Sequence, residues 1–217
     1  MLQKSIFAIA FLFAVSTQSA AAQTSGLSCD APQNDLVQMV CETPDLMKLD
    51  GELERVLRPA IDADELSGPT FSWVKSDPRK FLTSVFPVCA NTAVGALQCL
   101  SNSYTGRIAH VLVASAAARD AASVAEGPFD VSCSGFDHPI SVVVFSTEVP
   151  IAVLDWTVSR SILRGAASGA DMSFEATMAS AVIVDGEGRK GKDRIDLEGD
   201  TARVVLAGGP APDCSLN

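Results

Sequence analysis

One stretch, Phe129 to Gly169, most constrains what this chain can fold into. β-branched and aromatic residues fill four short runs, Phe129–Cys133, Ile140–Ser146, Ile151–Trp156 and Ser159–Leu163. Glycine, proline and charged residues punctuate them, the pattern of consecutive strands joined by turns. Further runs follow at Met172–Thr177, Ala179–Asp185, Arg194–Leu197 and Ala202–Leu206, with Glu198-Gly199-Asp200 as a hairpin signal between the last two. About eight evenly spaced short strands favour an antiparallel barrel or sandwich. The fourth strand is expected to run into a small-residue loop, Gly165 to Gly169. Asp185 to Asp193 reads as a charged, glycine-rich turn.

The first half reads differently. Asp30 or Asn34 can cap a short helix through Val40. Thr43-Pro44-Asp45 is a strong helix start, and Leu46, Leu49, Leu53, Val56 and Leu57 then recur on one face until Pro59 stops the helix. A second helical region is expected from Ser67-Gly68-Pro69 to Phe86. A third, capped by Thr92, carries Val94, Leu97, Leu100, Tyr104, Ile108, Val111 and Leu112 towards Ala122. The fold class is therefore α+β: an N-terminal disulfide-bonded helical domain followed by a small antiparallel eight-stranded β-barrel. The expected divisions are a signal peptide over 1–22, a helical domain over 23–115, a linker or helix extension over 116–127, and a barrel domain over 128–217.

Lys4, the apolar run Ile6 to Val15 and Ala20-Ala21-Ala22 make a secretory signal, cleaved near Ala22. Ten apolar residues are too few to span a bilayer. Gly26 stands where a lipoprotein signal would place its cysteine, so a periplasmic or secreted protein with no membrane anchor is expected. Loss of Lys4 takes the formal charge from −10 to −11, which argues against nucleic-acid and anionic-membrane partners and favours basic ones. All six cysteines lie beyond the cleavage site, as three disulfides in an oxidising compartment would require. They form no C-x₂-C pair, and His110 and His138 sit in different segments, so neither a metal nor a cofactor is expected. Catalysis is not expected either. Ser72-Trp73-Val74-Lys75 fits S-x-x-K, but the chain lacks K-T-G; Ser134-Gly135-Phe136-Asp137-His138 with Pro139 reads as a turn.

Phe129-Asp130-Val131-Ser132-Cys133, Ala152 to Trp156, Ala167-Ser168-Gly169, Gly199 to Leu206 and the late Cys214 resemble the membrane-bound inhibitor of c-type lysozyme family over about the last 90 residues. Cys41-Glu42-Thr43-Pro44-Asp45-Leu46, Leu49-Asp50, Glu52-Leu53, Cys99-Leu100, Tyr104 and Arg107-Ile108 resemble the LprI-type four-cysteine helical domain, which is also associated with lysozyme inhibition. Phe81-Leu82 before Cys89, with Trp73 offset, departs from that domain's middle helix. The first resemblance implies a barrel that plugs the lysozyme cleft, with c-type lysozyme as partner. In that family a serine on an S-G loop and a lysine on a K-G turn face the catalytic carboxylates. Ser168-Gly169 matches the first element. Glu198-Gly199 stands where the family has Lys-Gly, and Lys190-Gly191 with Lys192 offers the cation instead. The lysozyme-contacting set is thus Ser168, Gly169, Lys190 and Lys192. The alternative is an envelope binding or scaffold module that has lost the inhibitory lysine. The expected disulfides are Cys29–Cys41, Cys89–Cys99 and Cys133–Cys214. The first two are one of three pairings that the helical part allows; the third follows from the separation of the two domains.

Overall fold

The computed structural model describes residues 27, 29–32, 34–68, 71, 85, 87–91, 95–122, 125–156, 159–168, 171–176, 180–184, 187–198, 201–206 and 214–216. The expected signal segment, most of the second helical region and Gly169 lie outside them.

Helix α1 spans Asp35–Glu42, and Asn34 caps it by accepting from the amides of Leu36 and Val37 at 3.0 and 2.9 Å. Helix α2 spans Pro44–Asp62 with proline in its first turn. Pro59 does not stop α2. The helix runs three residues past it to Asp62 despite the amide hydrogen bond to the Arg55 carbonyl that proline cannot make, and the proline's own carbonyl accepts from Ala63 at 3.0 Å. Helix α3 spans Ala96–Ala114 and ends at Ser115; a separate helix, α4, spans Ala116–Ala122. The stripe Leu100, Tyr104, Ile108, Val111 and Leu112 is fully buried against Leu46, Leu49, Leu53, Val56 and Leu57 of α2. Buried in that interface, the Tyr104 hydroxyl donates to Asp50 Oδ1 at 3.0 Å.

Ten strands follow: β1 Ala125–Cys133, β2 Ile140–Phe145, β3 Ile151–Trp156, β4 Ser159–Ser168, β5 Asp171–Ala176, β6 Ser180–Val184, β7 Glu187–Gly191, β8 Arg194–Glu198, β9 Thr201–Val205 and β10 Cys214–Leu216. Eight of them form one antiparallel sheet in the order β10-β1-β2-β3-β4-β5-β8-β9. β9 and β10 meet at its two ends, so the sheet is a nearly closed barrel. β6 and β7 form a separate hairpin inserted between β5 and β8. β1 begins inside the segment expected as linker, and Gly127 lets it pass close to β2. Its φ is 102°, and a Cβ there would lie 2.7 Å from the Val142 carbonyl oxygen. Disulfides join Cys29 to Cys41, Cys89 to Cys99 and Cys133 to Cys214. The last links residues that are register partners in β1 and β10.

Two cores result. Val142, Val144, Ala152, Leu154, Leu163, Phe174, Ile195 and Val204 fill the barrel. Phe145, Ile151 and Val153 do not join them. They belong to the helical core, with the partly buried Val143 and Ile162 alongside. Strand β3 is consequently buried on both faces, which explains why Ile151 to Leu154 is apolar without alternation.

Candidate functional site

The barrel register places the expected site residues. Ser168, at the end of β4, pairs with Asp171; Asp171 pairs with Glu198 at the end of β8; Glu198 pairs with Thr201 at the start of β9. The ends of four strands, at Ser168, Asp171, Glu198 and Thr201, therefore stand in one row on one rim of the barrel. Neighbouring strands lie about 4.8 Å apart, so the backbones of Ser168 and Glu198 are roughly 10 Å apart. The Thr201 hydroxyl donates to the Glu198 carbonyl at 2.8 Å. The small-residue segment expected as a loop is mostly strand: Gly165 to Ser168 extend β4, and only 169–170 connect it to β5. Gly165 is small for a packing reason. A Cβ there would lie 2.4 Å from the Phe174 ring, so the barrel's buried phenylalanine occupies the room a side chain would need.

The candidate lysines go elsewhere. Lys190 lies in β7, paired with Ala181, in the segment expected as a turn. Lys192 follows that hairpin, and its ammonium pairs with Glu175 at 2.8 Å. Glu175 is four residues along β5 from Asp171, so roughly 13 Å of strand separates the Lys192 ion pair from the rim. The register brings Ser168 and Glu198 together and leaves Lys192 at the far end of the same strands.

The outer face of β5, β8 and β9 between those two ends is polar and ordered. Ser173 donates to Asp196 Oδ1 at 2.6 Å, and Arg194 Nε donates to the same oxygen at 2.9 Å. Burial alone would raise the Asp196 pKa, but these hydrogen bonds and the charges of Arg194 and Arg203 outweigh it and hold the carboxyl below its ordinary value. Inside the barrel, the Ser161 hydroxyl donates to the fully buried Asp193. Sequence reading did not single out Asp193 or Ser161, because a lone aspartate after a glycine-rich segment carries no signal of burial. His110, on α3, is within electrostatic range of Arg107 on the same helix and of Arg160 on β4. Burial lowers its pKa first, and the two guanidinium charges lower it further. Among the described residues no cluster of three or more His, Cys, Asp or Glu could hold a metal ion, and no helix is long and apolar enough to cross a membrane.

No protein-family model, curated protein or solved structure matches this chain.

Proposed function

We propose that this protein is an exported, non-catalytic inhibitor of c-type lysozyme, which inserts the rim formed by the β4–β5 and β8–β9 hairpins into the enzyme's cleft. The observation that carries this reading is the register row Ser168–Asp171–Glu198–Thr201. It supports the reading because Ser168 and Glu198, the positions matched to the family's serine and lysine, stand two strands apart in one row of strand ends. An edge of paired strand ends can enter a cleft, and a serine hydroxyl can donate to a carboxylate there. The acidic chain steers encounter with a basic lysozyme in a salt-dependent way.

A second reading is supported by a specific pair of placements. Glu198 occupies the rim, where a cation would meet the enzyme's carboxylates, and Lys192 is engaged with Glu175 away from it. A rim without its cation fits a non-inhibitory envelope binding or scaffold module.

Lysis of a peptidoglycan suspension by c-type lysozyme, titrated with the oxidised full-length protein, separates the two. Inhibition that saturates at one equivalent, weakens in Ser168→Trp and strengthens in Glu198→Lys supports the plug. Lys192→Ala should change nothing. Undiminished lysis in the presence of the folded, oxidised protein would retire the inhibitor and favour the scaffold module.

A further inference from the structure

Where the helices meet the barrel, an open cleft of about 630 Å³ lies between the first turns of α2 and α3 and the side chain of Arg164 on β4. That volume falls in the range of small-molecule sites. It is four residues along β4 from Ser168, so it is a separate place on the molecule from the barrel rim.

The chemistry of the cleft is mixed and directional. Arg164 is half-buried and donates through Nη1 to the Ser101 hydroxyl. A guanidinium carries five N–H donors, and among the described residues no carboxylate stands within ion-pair distance of this one. Gln98 and Thr43 add further polar groups, and Met39, Leu46 and Leu97 supply an apolar wall. Leu97 is half exposed there, so its side chain is open to a ligand.

Charge decides which ligand fits. Arg164 contributes +1 and Asp45, which also lines the cleft, contributes −1. The start of α3 adds about +0.5, while the end of α1 at Thr43 offsets the start of α2 there. The sum is a small positive charge, about +0.5, which suits a monoanion and is too little for a phosphate dianion. We infer that this cleft binds a carboxylate carrying a short aliphatic substituent, as at the C-terminus of a small peptide. Arg164 holds the carboxylate, and the Met39–Leu97 wall takes the substituent. The inference rests on the cleft alone and does not depend on lysozyme inhibition.

The test is calorimetric titration of the oxidised full-length protein with N-acetyl-alanyl-alanine, its C-terminal amide, and acetate. The peptide acid should bind at least about tenfold more tightly than the amide, the contribution expected of a charge-assisted contact. Acetate should bind more weakly than the peptide acid because it leaves the apolar wall empty. Arg164→Gln should abolish the preference for acid over amide, and Arg164→Lys should retain only part of it, since an ammonium lacks the planar fork. Asp45→Asn should tighten binding about two- to threefold. Equal affinity for acid and amide overturns the assignment, as does the absence of binding by all three probes. The acid–amide comparison needs only the unaltered protein, so it decides even if a variant fails to fold. Acetate binding as tightly as the peptide would overturn the role of the wall.

Discussion

Residues with no room to change hold each core. Tyr104 and Asp50 are both fully buried, and their 3.0 Å hydrogen bond is a polar contact between α2 and α3. Burial, followed by the charge and hydrogen bond of Asp50, raises the Tyr104 pKa far above its ordinary value, so the hydroxyl stays a donor at any working pH. Tyr104→Phe removes that donor from a buried acceptor. The expected loss is about 1–3 kcal/mol of unfolding free energy, read from urea titrations. Gly165→Ala in the barrel places a Cβ against the Phe174 ring. It should cost about 1–3 kcal/mol by overpacking, and Gly165→Ala combined with Phe174→Leu should recover part of the loss. Neither role could be read from the chain. Tyr104 is one of several apolar positions on a stripe, and Gly165 looks like the opening of a loop until its register partner is known.

At the scale of elements, what the sequence shows depends on how local the cause is. The Asn34 cap, the Pro44 start and the strands β2 and β3 are legible because capping groups and β-branched runs act on their immediate neighbours. The extension of β4 through Gly165-Ala166-Ala167-Ser168 is not legible. Those residues have poor strand propensity and are held extended by β5, a partner supplied by the fold. β7 is hidden for the same reason: Glu187 to Gly191 has a turn's composition, and pairing with β6 makes it a strand. The barrel rim needed both kinds of information. Ser168 and Glu198 are visible as residues, while their adjacency and the remoteness of Lys192 follow only from register. The β1–β10 pairing has its own cause. Three residues make a weak strand, and Cys133–Cys214 joins β10 to its partner across a sequence separation of 81. Cys133→Ala with Cys214→Ala should lower stability by about 4 kcal/mol in the loop-entropy account, seen as a lower urea midpoint.

For the whole molecule, the governing fact is that helices and barrel share apolar surface. Phe145, Ile151 and Val153 project from the sheet into the helical core, each worth about 1.5–3 kcal/mol when buried. Phe145→Ala should therefore destabilise both halves together, giving one cooperative thermal transition at a lower midpoint. Two separate transitions would contradict a shared core. His110 lies at this same junction. Its lowered pKa means the folded state binds fewer protons than the unfolded chain, so stability falls as pH drops below the ordinary histidine value of 6.5 and levels off beneath the folded pKa. His110→Gln should flatten the stability profile across that window, measured by melting between pH 5 and 8 (roughly the span in which histidine titrates).

Strand β3 serves two masters, and this bears on how such a chain can be inherited. Ala152 and Leu154 answer to the barrel, while Ile151 and Val153 answer to the helices. A barrel copied without its helices would carry an adhesive stripe on its outside. A helical unit copied without the barrel would lack part of its lining. Recombination at the boundary is therefore penalised from both sides, and the two halves are expected to descend as a pair, with changes on the outer face of β3 tracked by compensating changes in the helices.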